Sequence, residues 1–200
     1  MWTRAEDQIE LIMIRHGKTR SNEEHRYLGR TDESLSKNGI EEIKKKRKGY
    51  PPCSLVYVSP MKRCLETADL IHPHVELHKI EEWREMDFGR FERKNYEELK
   101  DDPYYQKWID SNASLPFPEG ESREEFNHRS ILGFQKMMKE LEEKKEKKAM
   151  MVVHGGTIMA VCAYLTGKEY FDFQVKNAEG YVCRLCKKKN DWKVMELKKI

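Results

Sequence analysis

Four consecutive apolar residues, Leu11 to Ile14, stop at Arg15-His16-Gly17, and this junction constrains the chain more than any other stretch. A run of four is short for a helix and long enough for a β-strand buried on both faces. A cation, an imidazole and a glycine that lets backbone approach a ligand, placed where such a strand ends, make an anion pocket with a nucleophile or base inside it. The same arrangement recurs twice. Leu55-Val56-Tyr57-Val58 runs into Ser59-Pro60 and a helix over Met61 to Ile71, with Ser59 expected as its cap and Arg63 facing back toward the strand end. Met150-Met151-Val152-Val153 ends in His154-Gly155-Gly156 and opens an apolar helix from Thr157 to about Leu165. In open α/β sheets the carboxyl ends of the strands form the ligand crevice, so three such ends would bring two His and two Arg together.

Two hundred residues favour one domain over 1–200, large enough to bury a core. The 38 Lys and Arg against 35 Asp and Glu leave a net charge of +3, too balanced to argue for nucleic acid or a membrane surface. The first residues lack the apolar core of a signal peptide, and no apolar run approaches the ~18 residues of a membrane span, so a cytoplasmic protein is expected. The five cysteines, an odd and scattered set, fit reduced thiols. Cys183 and Cys186 form a C-x-x-C in an expected strand, where positions three apart point to opposite faces. His72, His74 and His78 lack a Cys or carboxylate that would close a zinc site and read as loop and strand-start residues.

Residues 1–8 read as a loose polar end, and 18–31 as a loop or short helical turn. A helix is expected from Ile40 to about Lys48 and a strand over 75–80. From Glu81 to about Ser122 the pattern turns irregular and aromatic, with short helices at 96–100 and 103–109, which suits a lid over a crevice. Gly120-Glu121-Ser122 then opens the longest helix, to about Lys145, whose expected buried stripe is Phe126, Ile131, Leu132, Phe134, Met137, Met138 and Leu141. The tail from Gly180 reads as a hairpin turning at Asn190-Asp191.

R-H-G-K-T-x-x-N from Arg15, S-P-x-x-R-C-x-E-T-A from Ser59, E-M-D-F-G-R-F-E from Glu85 and V-V-H-G-G from Val152 follow one another in this order. Together, from Leu11 to about Leu165, they resemble the histidine phosphatase superfamily, also called phosphoglycerate mutase-like. The resemblance implies an α/β fold, a three-layer α/β/α sandwich with a mostly parallel central sheet. The E-x-D-F-G-x-F-E stretch followed by P-E-G-E-S is similar to the α-ribazole phosphatase branch and its broad-specificity relatives.

Phosphoryl transfer needs a nucleophile in line with the leaving oxygen and positive donors around the three equatorial oxygens. Neutral imidazole supplies a nucleophile near pH 7, and His16 is assigned this role, one ring nitrogen attacking phosphorus and the other bound to a backbone carbonyl. Arg15 and Arg63 would grip the phosphoryl oxygens with fork-shaped bonds. His154, protonated among those oxygens, would be a third donor and Asn22 a fourth, with Gly155 beside them in the substrate site. Side chains would thus neutralise charge as a metal does elsewhere, so no metal and no cofactor are expected. The resemblance puts the proton donor on Glu85, although spacing alone does not choose Glu85 over Asp87. Ser59 and Glu121 stand between pocket contact and loop capping, as does Asn22.

The expected partner is a small phosphate ester, with α-ribazole 5′-phosphate of cobamide assembly as the favoured substrate and oligomerisation left open. A broad-specificity phosphatase is the alternative. A cofactor-primed phosphoglycerate mutase is disfavoured by the short 81–122 segment, and a non-catalytic phosphate-binding protein by the intact set of side chains. Arg93 after Phe91-Glu92, and Ser34-Leu35-Ser36, depart from the usual family text near the pocket mouth. Arg30, Arg84 and Arg93 could add charge for a second anionic group or face solvent.

Overall fold

A computed structural model describes residues 8–188 and 191–200. In chain order the elements are β1 (Gln8–Arg15), α1 (Arg20–Glu23), α2 (Lys37–Lys46), β2 (Val56–Val58), α3 (Lys62–Ile71) and β3 (Leu77–Lys79). There follow α4 (Tyr96–Leu99), α5 (Pro103–Asp110), α6 (Arg123–Lys144), β4 (Lys148–Val153), α7 (Gly155–Thr166), β5 (Gly180–Lys188) and β6 (Asp191–Lys199). The strands form one sheet in the order β3-β2-β4-β1-β5-β6. The first four pair in parallel, and β5 and β6 add antiparallel on the β1 side.

Strand side chains alternate between faces, and here both faces are covered. Leu11 and Met13 of β1, Tyr57 of β2, and Ala149, Met151 and Val153 of β4 pack with α6 and α7 residues such as Phe134, Leu141 and Val161. Their neighbours Ile12, Ile14, Val56, Val58, Met150 and Val152 pack with Ile43 of α2 and with Cys64, Ala68 and Ile71 of α3. Two helices on each face of a mostly parallel sheet make the three layers. A third cluster, Met86, Phe91, Leu99, Tyr105, Phe117 and Phe126, gathers most of its members from the 81–122 segment.

Three expectations change. Met61, not Ser59, is the N-cap residue of α3, with no side-chain cap; the Ser59 hydroxyl lies 2.9 Å from His154 Nε2 and accepts from Met61 N only at 3.4 Å. On α6 the buried stripe runs through Ser130 and Gly133, whereas Leu132 is 40% exposed. Gly133 sits there because a Cβ would come within 2.6 Å of the Trp83 indole nitrogen, which donates to the Ser130 carbonyl at 3.2 Å. Gln8 already belongs to β1, while the rest of the polar start, residues 1–7, lies outside the described residues. So does Asn190 of the expected hairpin turn, although Lys188 pairs with Asp191 across the two strands.

All five cysteines are free thiols, and Cys183 and Cys186 are both buried in β5. Among the described residues no three His, Cys, Asp or Glu side chains come together as a metal site, and no helix is long and apolar enough to cross a membrane.

Candidate active site

Register brings the strand ends to one level. Arg15 pairs with Val153 and Val58 with Val152. The ladder closes with His16 N donating to Val153 O at 2.9 Å and Ser59 N to Val152 O at 3.1 Å. Arg15, His16, Ser59 and His154 therefore leave the sheet side by side.

His16 is 2% exposed, and its Nδ1 lies 2.7 Å from the Gly17 carbonyl. A carbonyl only accepts, so Nδ1 carries the proton and Nε2 keeps its lone pair. Burial, reinforced by Arg63 and Arg15, holds the His16 pKa well below its ordinary value. The turn behind it is fixed from two sides. Gly17 N donates to Thr67 Oγ1 at 2.9 Å, and Thr67 donates in turn to Arg63 O at 2.6 Å. Asn177 Nδ2 reaches His16 O and Asn22 Oδ1, each at 3.1 Å. Neither Thr67 nor Asn177 stands out in the sequence as a site residue; Asn177 is a single amide in a loop that carries no motif.

Arg63, in the first turn of α3, is fully buried and donates to the carbonyls of Thr31 at 3.0 Å and Gly29 at 2.9 Å. Arg15 donates to Val175 O at 2.7 Å. The Nε of each guanidinium is buried without a protein partner. Backbone carbonyls orient these two cations but do not neutralise them, which leaves a pocket suited to an anion. A Cβ on Gly155 would lie 3.4 Å from Arg15 Nε, an ordinary contact, so α7 starts directly against the guanidinium.

The rings of His16 and His154 meet edge to face with centroids 5.2 Å apart. His154 is fully buried, its Nε2 2.9 Å from Ser59 Oγ and its Nδ1 3.7 Å from Glu85 Oε2. In the ligand-free pocket burial, then Arg63, His16 and Arg15, push its pKa well below the ordinary value. The expected protonated form belongs to a pocket filled with phosphate oxygens, whose negative charge acts in the opposite direction.

Glu85 and Asp87, inseparable by spacing, occupy different places. Glu85 lies against His154, accepts from Met86 N at 2.9 Å and has its pKa raised by burial, which outweighs Met86 N–H, Arg63, Arg15 and Arg129. Asp87 accepts from Gly89 N at 2.9 Å and pairs with Arg30 at 3.1 Å. Arg84 pairs with Glu81, and Arg93 takes a left-handed φ of 63° with its backbone N tied to Tyr27 O. Asn22 has its carbonyl oxygen taken by Thr19 N and Asn177, which leaves its amide nitrogen as the donor. Glu121 binds Arg129 and accepts from the Asp87 backbone N, which makes it a cap of the irregular 84–88 loop and not a pocket contact.

Two cavities meet at Arg15 and Tyr27. One, of 720 Å³, runs past Asn22 and Asn177 and is bordered by Lys18, His25 and Lys176. The other, of 310 Å³, starts at Glu85 and Gly155 and is walled by Phe88, Trp108, Phe117, Met159, Tyr170 and Phe171.

Comparison with known proteins fits this geometry. A curated relative from Hydrogenobacter thermophilus, named "Putative phosphoserine phosphatase 2", is 28% identical over 165 residues, 78% of each chain. A phosphoserine phosphatase mutant from Entamoeba histolytica, solved in complex with phosphoserine, superposes with a TM-score of 0.73 at 28% identity, covering 94% of this chain and 96% of that one. The alpha-ribazole phosphatase of Shigella flexneri shares the fold, with a TM-score of 0.76, 23% identity and coverage of 94% and 96%. The family model of the histidine phosphatase superfamily (branch 1) matches residues 11–198, and the chain is a phosphatase belonging to that superfamily.

Proposed function

We propose that this phosphatase is a metal-independent phosphomonoesterase that works through a phosphohistidine on His16. The observation that carries the reading is the His16 Nδ1 contact with Gly17 O at 2.7 Å, beside buried Arg63 and His154 and half-buried Arg15, which frees Nε2 as the nucleophile. Nε2 forms a bond to phosphorus as the ester P–O bond breaks, and the departing oxygen takes the proton of Glu85, whose raised pKa suits an acid. The Glu85 carboxylate then removes a proton from water, the water oxygen attacks phosphorus, and the P–N bond breaks. Inorganic phosphate leaves, and Glu85 is protonated again. Arg15, Arg63, His154 and the Asn22 amide stabilise the equatorial oxygens, with Gly155 beside Arg15 in the substrate site.

For the alcohol moiety the reading favours a ring-bearing group, with α-ribazole 5′-phosphate as substrate. The wall of the 310 Å³ cavity is mostly apolar and includes six aromatic side chains, and apart from Glu85 it holds no carboxylate for an ammonium group. Phosphoserine is the second reading, favoured by the likeness to the H. thermophilus and E. histolytica proteins and by Arg123 in the same wall.

The test is phosphate release at neutral pH with EDTA present, comparing kcat/KM for α-ribazole 5′-phosphate, phosphoserine, 3-phosphoglycerate and a simple aryl phosphate. A preference of ~100-fold, about 2.7 kcal/mol of differential transition-state binding, would identify the ester. Equal rates would mean a broad-specificity enzyme. Rapid quench with labelled ester should trap label on His16; trapping at undiminished level in His16→Ala would refute the mechanism.

A further inference from the structure

Glu85 stands on a stretch without regular structure: a 3-10 turn ends at Trp83, another begins at Gly89, and nothing helical or extended holds 84–88. A side chain that must deliver a proton to one oxygen needs its Cα–Cβ direction fixed, and a misplacement of 1 Å can cost about 100-fold in rate. The fixing group is Arg129, in the second turn of α6. Its Nη1 donates to Glu82 O at 2.8 Å and to Arg84 O at 2.6 Å, and its Nη2 to Glu85 O at 3.1 Å. The Arg84 and Glu85 carbonyls belong to the peptide planes on either side of the Glu85 Cα, so the guanidinium pins both.

The two remaining donors close a fork on Glu121, Nε to Oε1 at 2.6 Å and Nη2 to Oε2 at 2.7 Å. All five N–H groups of Arg129 are thereby used. Glu121 itself spans to the same stretch, accepting from Asp87 N at 3.3 Å through Oε2 and donating its own backbone N to Asp87 O at 2.9 Å. The guanidinium carbon also stacks 4.7 Å above the Phe126 ring, and that ring packs where a Cβ on Gly156 would stand 2.9 Å away. The pair therefore ties the Glu85 segment to α6 and, through Phe126, to the start of α7 beside His154.

We propose that Arg129 and Glu121 form a positioning pair that aims the Glu85 carboxyl at the leaving oxygen, so that the enzyme's power over esters of poorly acidic alcohols depends on them. Neither residue touches substrate. The inference rests on Glu85 being the proton donor. A lysine at 129 could reach one or two of the five acceptors and could not form the fork.

The experiment compares kcat/KM for an alkyl phosphate, whose leaving group needs a proton, with 4-nitrophenyl phosphate, whose leaving group departs as a stable anion. It does so in Glu85→Gln, Arg129→Lys, Glu121→Gln and the double variant Glu85→Gln/Arg129→Lys. Glu85→Gln should lose about 100-fold or more on the alkyl ester and a few-fold on the aryl ester. Arg129→Lys and Glu121→Gln should reproduce that asymmetry, with about 10- to 100-fold lost on the alkyl ester, and Arg129→Lys should add little in the Glu85→Gln background. Equal losses on both esters in Arg129→Lys and Glu121→Gln, with Glu85→Gln still asymmetric, would reduce the pair to a structural brace and overturn the inference. A Glu85→Gln variant with equal losses would instead remove the acid assignment beneath it. If Arg129→Lys does not fold, Glu121→Gln, which keeps a hydrogen-bonding side chain, decides the matter alone.

Discussion

The wall of the pocket that carries Arg15, His16, Arg63 and His154 is made of strand ends and first helical turns, whereas the wall that carries Glu85 belongs to a stretch with only single helical turns. On the first side, sheet register and backbone carbonyls orient Arg15, His16 and Arg63, the Ser59 hydroxyl bonds His154, and Arg63 and His154 are fully buried. On the second side, a bridge of side chains from α6 fixes Glu85, and an aromatic cluster of its own covers the space beyond. In the proposed mechanism the difference separates two jobs: the strand ends handle any phosphoryl group, and the irregular wall reads and protonates what the phosphoryl group is attached to. Chemistry placed on the sheet should thus respond to mutation regardless of ester, and chemistry placed on the 81–122 segment should respond ester by ester.

The largest effect is expected at the nucleophile. His16→Ala should lower turnover by about 10⁴-fold or more on every ester, since a missing nucleophile cannot be replaced by the donors left behind. Retention of a tenth of the activity would end the phosphohistidine reading. Arg63→Ala comes next, at about 10²- to 10³-fold in kcat/KM. Because Arg63 acts on the phosphoryl oxygens, its loss should be the same for alkyl and nitrophenyl esters, unlike that of Glu85→Gln. It should also lower the melting temperature, since Arg63 is fully buried and satisfies the Thr31 and Gly29 carbonyls. Unequal losses in Arg63→Ala would erase the division between the two walls.

That division also explains what the sequence discloses. Short, fully apolar strands that stop at Arg-His-Gly and His-Gly-Gly are visible because burial on both faces removes the usual alternation, and they carry the sheet side of the site with them. The Glu85 wall is less legible. Its order comes from contacts distant in sequence, as when Arg129 reaches carbonyls 44 to 47 residues away. An arginine on α6 looks like any charge on a solvated helix face, and only Glu121 hints at its partner. The α6 stripe has the same origin: Trp83, from the irregular wall, packs where a Cβ on Gly133 would stand and donates to the Ser130 backbone carbonyl, so the buried face runs through 130 and 133 and leaves Leu132 exposed. Ser59 shows the converse: a serine after a strand suits a helix cap as well as a histidine partner, and only the fold brings His154 to it.

The pH profile draws a smaller, graded distinction. The His16 pKa is lowered from 6.5, so the nucleophile stays unprotonated, and active, to well below that pH; activity is lost as pH falls through the lowered value. The Glu85 pKa is raised from 4.5, so the acid form persists above the usual carboxylate range and is lost as pH rises through the raised value. For an alkyl ester, kcat/KM should therefore be highest between these two shifted values, and the alkaline limb should flatten in Glu85→Gln or with 4-nitrophenyl phosphate. An alkaline limb unchanged by both would assign it to another group. Stability follows its own sign. Both buried histidines bind protons more weakly folded than unfolded, so their contribution to stability is complete above about 6.5 and declines as pH falls below it. Melting temperature should drop on acidification through that range, and less steeply in a His154→Gln variant.

The smallest effect isolates the apolar wall from everything else on its side. Phe171 lines the 310 Å³ cavity, is 41% exposed and leans on Tyr170 with ring centroids 5.1 Å apart. It belongs to none of the three buried clusters, so Phe171→Ala should change stability by about 0.5 kcal/mol or less. Removing the ring takes apolar surface from one side of a bound alcohol, an effect of about 1–2 kcal/mol, or roughly 10-fold in kcat/KM, for a ring-bearing ester. An ester with a two-carbon alcohol, too short to reach the ring, should be hydrolysed at the wild-type rate. Such a split would show that the irregular wall itself contains two separable functions, Glu85 held for protonation and the aromatic surface held for fit. Equal losses on the long and short esters would mean that Phe171 acts through the site's geometry, and the boundary between the two walls would then lie elsewhere than at the mouth of this cavity.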